Sequence, residues 1–269
     1  GQRFLANGTR AGAEFQIGPN DSDFDSQADP SVAMNEAGKF VVAFSNRELN
    51  SLALFLEVLS AERRDVQVRA YNADGTAATD VIEVASSTST IERSPVIGIA
   101  ANGDFAVSWI SDGSPARIMT RRYAADGTAK AEAVQVNDSV SANDRPYMAM
   151  ATTGKYVVTW ERLVDQAPLI GIYARVYGID GAPVTEQFQV SGPGAGMMER
   201  TSVGMAADGS FVVGGQARQQ ANDGGPVQVR ENAAVDDHPP TRPPGATARR
   251  VPPPPTRRGP RAAAADTSA

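Results

Sequence analysis

One pattern recurs four times along this chain, and that self-similarity restricts it to a repeat architecture before any other property is weighed. Pro30-Ser-Val-Ala-Met34 followed by Gly38-Lys-Phe-Val-Val-Ala-Phe44 returns as Pro95-Val-Ile-Gly-Ile99 with Gly103-Asp-Phe-Ala-Val-Ser-Trp109. It returns again as Pro146-Tyr-Met-Ala-Met150 with Gly154-Lys-Tyr-Val-Val-Thr-Trp160, and as Thr201-Ser-Val-Gly-Met205 with Gly209-Ser-Phe-Val-Val213. A second block alternates with it: Arg69-Ala-Tyr71, Asp74-Gly75 and Ile82-Glu-Val84; Arg122-Tyr123, Asp126-Gly127 and Val134-Gln-Val136; Tyr177, Asp180-Gly181 and Phe188-Gln-Val190. A further copy opens the chain as Arg3-Phe4, Asn7-Gly8 and Phe15-Gln-Ile17. The glycines at 38, 103, 154 and 209 stand 65, 51 and 55 residues apart, so the first period carries an insertion.

Each period holds four short strand positions: A (Val32 to Met34), B (Phe40 to Phe44), C (Val66 to Tyr71) and D (Ile82 to Val84). Asp-Gly and Asn-Gly between C and D are hairpin signals, because glycine supplies the positive φ of a tight turn. A glycine stands between A and B in every copy for the same reason. Four antiparallel strands per period is the spacing of a propeller blade. The predicted fold is all-β: a β-propeller of about four blades, either a small closed ring or a fragment of a larger one. B reads as a near-continuous apolar run because a blade buries both faces, and Phe44, Trp109 and Trp160 at its end read as wedges between blades. The chain starts with C and D and ends its clear repeats with A and B. Residues 1–17 are therefore a half repeat able to complete the blade begun at 199–213. Starting inside a repeat is also what a piece of a longer protein would do.

The pattern resembles repeats of large bacterial surface and secreted proteins, of the form DG-x-FVV-x-W, IYA-x-R-x-Y-x-x-DG and EFQVN. Gly171-Ile-Tyr-Ala-Arg175 and Phe188-Gln-Val190 carry the likeness, which covers about residues 1–230. It implies a propeller-like, extracellular or cell-surface interaction module. The repeat domain spans 1–230, with repeats at about 28–84, 93–136, 144–190 and 199–230. The last one falters at Gly215, where an aromatic stood before, and the pattern is lost after Arg230. Residues 231–269, rich in Pro, Arg and Ala, are expected to be a disordered tail. Two origins stay open for it: an out-of-frame end of a longer reading frame, or a basic polyproline-like linker.

Charge and composition narrow the partners. The last 29 residues carry a net charge of +5 and the other 240 a net of −11, so the repeat domain is acidic and no nucleic acid partner is expected. The longest apolar run, Leu52 to Leu59, is interrupted by Glu57 and falls far short of the roughly 20 residues that cross a bilayer. The chain has no cysteine, and its one histidine, His238, lies in the tail. Thiol chemistry, cysteine-held metals and a Ser-His-Asp triad within the repeats are thereby excluded. No glycine-rich phosphate loop opens a helix.

A–B and C–D turns are short in every copy, whereas B–C and D–A segments are long and variable. All variable sequence thus falls on one face, where a rigid scaffold carries its binding loops. Three features sit there. Asp21, Asp23 and Asp25 offer alternating oxygens to calcium, although Ser26 and Val32 break the EF-hand pattern; the competing reading is solvated loop, and no other cofactor is expected. The insertion Arg47 to Arg64 carries leucines at helical spacing and reads either as a helix or as an elongated B–C hairpin. Its Leu52, Phe55 and Leu56, with Phe24, are the candidate binding face for a protein or a glycan. Third, the acid–Arg pairs Glu92-Arg93, Asp144-Arg145 and Glu199-Arg200 read as ion pairing between blades. The functional reading is a non-catalytic structural or interaction module. The alternative is a carbohydrate-binding or glycoside-hydrolase-like propeller of sialidase type, for which Ala207-Asp-Gly-Ser-Phe211 faintly resembles an Asp-box turn and two carboxylates in a cleft would suffice.

Overall fold

The computed structural model describes residues 1–19, 26–49, 62–113, 116–138, 145–164, 169–191, 197–218 and 224–232. All belong to the unit Gly1–His238; Pro239–Ala269 forms a separate unit, and the tail from residue 233 lies outside the described residues. The repeats become successive antiparallel sheets. The first holds β1 (Ser26–Met34), β2 (Phe40–Leu49), β3 (Glu62–Tyr71) and β4 (Ile82–Ala85). The second holds β5 (Ile91–Ile99), β6 (Phe105–Asp112), β7 (Arg117–Tyr123) and β8 (Val134–Gln135). The third holds β9 (Pro146–Met150), β10 (Tyr156–Val164), β11 (Leu169–Tyr177) and β12 (Phe188–Gln189). The fourth has β13 (Met197–Met205), β14 (Phe211–Arg218) and β15 (Gly224–Asn232). Strands pair in chain order, and no helix occurs among the described residues.

Period-2 alternation in B explains how the sheets stack. Phe105, Val107 and Trp109 face back onto Val41, Ala43, Val66 and Val68 of the first sheet. From the same strand Ala106 faces forward, joining Tyr156, Val158 and Trp160 of the third sheet. Phe211 and Val213 of the fourth sheet likewise close over Val157, Ile172 and Val176 of the third. Phe44, Trp109 and Trp160 are all buried, as wedges between sheets should be. In three sheets a ring at the start of B stacks on a ring at the end of C: Phe40 on Tyr71 at 4.8 Å, Phe105 on Tyr123 at 5.0 Å and Tyr156 on Tyr177 at 4.8 Å. A position, the first strand of each sheet, meets its counterparts directly, β1 against β5, β5 against β9 and β9 against β13.

Two expectations change. Residues 1–17 do not complete the sheet begun at 199–213, because β15 holds the place beside β14. They form instead the end of a unit preceding the first sheet. Phe4 bridges Arg10 as Tyr71 bridges Ala77, and Phe15 and Ile17 pack on Phe40, Val42 and Tyr71. Arg69 Nη1 donates to Ile17 O at 3.4 Å, just as Arg175 Nη1 donates to Val136 O at 3.0 Å one interface further on. At the insertion, Leu49 pairs with Glu62, so its flanks extend the β2–β3 hairpin; residues 50–61 lie outside the described residues.

Candidate functional site

The two ends of the sheets differ in what their residues are occupied with. At the end carrying the A–B and C–D turns, Gly38, Gly103, Gly154 and Gly209 have φ between 77° and 96°, a conformation that costs a Cβ-bearing residue. Asp74, Asp126 and Asp208 each accept hydrogen bonds from the residue two positions on (Thr76, Thr128 and Ser210), which holds their carboxyls below the ordinary range. Neighbouring turns are also tied to one another. Asn35 Nδ2 donates to Ala100 O at 3.1 Å, and Ala101 N donates to Thr152 O at 2.9 Å. Arg122 reaches from the second sheet to Gly154 O in the A–B turn of the third at 2.7 Å, and Arg3, at the matching position of the opening half repeat, reaches Asp74 O in the C–D turn of the first. Asp104 accepts from Lys130 and from Ala125 N. Burial pushes the Asp104 carboxyl up, but hydrogen bonds and the Lys130 and Arg122 charges outweigh this and leave it below its usual range. Burial lowers the Arg122 pKa, partly offset by Asp104. A pocket between the first two sheets at this end has room of about 30 Å³, about one water.

The opposite end is where the variable segments attach, and its strand ends carry both acids (Asp29, Glu92, Asp112, Glu161) and arginines (Arg47, Arg93, Arg162). Glu92, at the start of β5, is buried and fully engaged: Oε2 accepts from Trp109 Nε1 at 2.7 Å, while Oε1 accepts from Thr90 Oγ1 at 2.6 Å and Ser111 Oγ at 2.9 Å. Arg93 pairs with Asp112 at 2.9 Å. Asp29 lies exposed on β1 and accepts from Ser45 Oγ at 3.5 Å. Glu161 on β10 accepts from Thr201 N at 3.1 Å, and burial together with the Glu161 charge raises the Tyr147 pKa. Gln27 Nε2 bridges Asn46 Oδ1 at 3.1 Å and Pro19 O at 3.2 Å. Asp29 and Ser94 have φ of 50° and 52°, each just before a proline and inside a register shift of the A strand. Bulges of this kind redirect the flanking side chains.

These contacts correct one expectation. Glu92 and Arg93 bond within the second sheet, not across to another, and they stand one residue out of step with Glu199-Arg200. Arg93 is opposite Ile110, and Glu199 is opposite Gln216 at the equivalent place. A one-residue offset turns a side chain to the other face, so the two pairs are not copies. Asp144 lies outside the described residues, as do Asp21, Asp23, Phe24, Asp25, Leu52, Phe55 and Leu56. Among the described residues no three His, Cys, Asp or Glu groups are placed to hold a metal ion. The Glu92–Trp109 bond was not foreseen; the acid three residues before Pro95 and the tryptophan at the end of B were its only signals.

No family model matches the chain, and no curated protein matches it by sequence. Solved structures do align with it. An endo-arabinase from Bacteroides thetaiotaomicron is 13% identical over 85% of this chain and 81% of its own, with a TM-score of 0.44. A Hadza microbial sialidase is 16% identical over 77% of this chain and 44% of its own, with a TM-score of 0.49. A family 117 glycoside hydrolase from the marine bacterium Zobellia galactanivorans is 10% identical over 80% of this chain and 69% of its own, with a TM-score of 0.43.

Proposed function

We propose that the chain is an arc of β-propeller acting as a recognition module of a secreted or cell-surface bacterial protein, with a carbohydrate as its ligand. The observation behind this reading is the division of labour between the two ends. At the turn end, side chains and backbone groups are committed to holding neighbouring sheets together. At the other end, where the variable B–C and D–A segments attach, Asp29, Glu161 and Asp112 lie at or near the surface. Carboxylates fixed on rigid strands are suitable acceptors for the hydroxyls of a sugar. The repeat's resemblance to surface-protein repeats supports the location. Protein recognition by the same face is the competing outcome.

Glycan-array binding of the full chain tests the reading, run beside hydrolysis of sialoside and β-glycoside reporters. Binding without turnover, weakened by Asp29→Asn, is expected. Turnover would replace the recognition module with a glycoside-hydrolase-like propeller. An array without a single bound glycan would return the face to protein partners.

A further inference from the structure

Eleven of the described residues have positive φ, and nine of them are glycines. The two exceptions, Asp29 at 50° and Ser94 at 52°, occupy the same position of neighbouring A strands, immediately before Pro30 and Pro95. A residue before proline is pushed towards extended backbone, so the conformation is disfavoured both by the side chain and by the ring that follows. In each case the bulge sets two residues against one wedge. Asp29 and Pro30 lie opposite Phe44, and Ser94 and Pro95 lie opposite Trp109. Glycine adopts positive φ at little cost and is the ordinary choice for such a bulge. The fold alone would be served by glycine at both places.

Neither side chain offsets that strain by bonding within the molecule. Asp29 is exposed, and Ser45 Oγ stands 3.5 Å from it, at the outer limit of a hydrogen bond. Ser94 is half-buried, and its hydroxyl has no hydrogen-bond partner among the described residues, although Glu92 and Arg93 beside it are both engaged. Both residues stand at the end where the variable segments attach, and at one level. The bond from Asn35 Nδ2 to Ala100 O ties the packed strands β1 and β5 six residues beyond each of them. Counting back in the same way from the Ala101 N to Thr152 O bond, Arg145 holds the matching place on the third sheet and is exposed. An acid, a hydroxyl and a guanidinium therefore form a row across three successive A strands.

We infer that this row before the prolines, Asp29, Ser94 and Arg145, determines the specificity of the module, and that its ligand is an uncharged sugar; the inference rests on the carbohydrate reading above. Asp29 accepts from sugar hydroxyls, Arg145 donates to them and Ser94 does both, which is the mixture a polyhydroxylated ring requires. The backbone strain holds Asp29 and Ser94 in place before a ligand arrives. Formal charges along the row cancel. Around it, Glu92, Asp112 and Glu161 stand against Arg47, Arg93 and Arg162. No local excess of positive charge selects an anionic sugar, and residues 1–240, with their net charge of −11, repel one.

Asp29→Ser and Ser94→Asp exchange two residues that the fold already accommodates in this conformation, so both variants of the full chain keep their structure. On an array of neutral, sialylated and sulfated glycans the parent is expected to bind neutral ones, and each exchange to lower that affinity by about tenfold. A parent that prefers anionic glycans overturns the ligand class. A parent whose glycan both exchanges bind equally well overturns the role of the row and leaves the recognition reading standing, whereas a parent that binds no glycan overturns both. The strain is read without any ligand. Asp29→Gly and Ser94→Gly are each expected to raise the melting temperature by about 2 °C or more. A fall, or no change, overturns the inference, because the two side chains then serve the fold.

Discussion

Set side by side, the third and fourth sheets show what makes one repeat self-sufficient and another dependent. Both begin with the same B-strand logic, Tyr156-Val-Val158 in one and Phe211-Val-Val213 in the other. In the third, Val157 is covered by the next sheet and Tyr156 by its Tyr177 partner. In the fourth, the residue matching Val157 is Val212, half open, and the ring matching Tyr177 is missing. Where the third has Trp160, the fourth has Gly215. One face of the fourth sheet is as well packed as any in the molecule, through Phe211 and Val213. The difference lies in the forward face, open at Val212, and in two positions of the backward face, where Gly215 and Asn232 stand for Trp160 and Tyr177. A repeat of this kind is therefore stabilised from both sides, and loses half its burial when one neighbour is absent.

Truncating a wedge is the most forceful way to break this comparison. Trp160→Ala should destabilise the fold by about 3–5 kcal/mol in a denaturant melt, since it empties a fully buried site between two sheets. Were the cost below about 1 kcal/mol, the sheets would not be stacked through their B strands at all. Next comes Glu92→Ala, expected to cost about 2 kcal/mol. It strands the buried Trp109 indole N–H and leaves Thr90 and Ser111 without their acceptor. Glu92→Gln keeps the shape and one acceptor oxygen and should recover part of that loss. A Glu92→Ala variant as stable as the parent would show that the rim of the second sheet is not fixed by this network.

Much of the third sheet, and less of the fourth, was legible in the sequence. Turn glycines, the alternation in B and the wedges are local signals with a fixed physical reading, and they hold in each sheet where the residues recur. β15 was equally readable, because Val227-Gln-Val-Arg230 repeats Val66-Gln-Val-Arg69, but the missing Tyr at position 232 hid the match. The offset between Glu92-Arg93 and Glu199-Arg200 was readable too, since Glu92 stands three residues before Pro95 and Glu199 two before the matching Thr201, but the shared acid–Arg wording masked it. The hydrogen-bond partners of Glu92 were not, because they depend on the register across the bulge. Arg122 as a fastener between sheets had a single matching signal, Arg3 before Phe4, and Ala70 and Val176 at the other two equivalent positions obscured it.

That turn-end fastening gives a smaller, pH-dependent effect. The Asp104 carboxyl is held below its ordinary pKa in the fold, so it is the unfolded chain that binds its proton more readily. The contribution is therefore fully present above the ordinary value of 3.8 and is lost as pH falls through the lower, folded value. Asp104→Asn should flatten the acid limb of a stability-against-pH curve, with little change in its alkaline part. At the alkaline end, burial pushes the Tyr156 hydroxyl up to about 12. Its contribution is present below 10 and declines as pH rises towards 12, so Tyr156→Phe should flatten that limb instead. Identical limbs in parent and variant would mean that neither group is as enclosed as its sheet interface requires.

The smallest expected effect bears most directly on the comparison. Val157→Ala removes two methyl groups from a site closed on both sides and should cost about 2 kcal/mol. Val212→Ala makes the same change at the equivalent position of the fourth sheet, where the side chain is 36% exposed, and should cost about 0.5 kcal/mol or less in dilute protein. The gap between the two measures how much of a sheet's stability comes from the neighbour ahead of it. If Val212→Ala cost as much as Val157→Ala in a dilute single copy, something already covers the forward face, and the fourth sheet is complete after all.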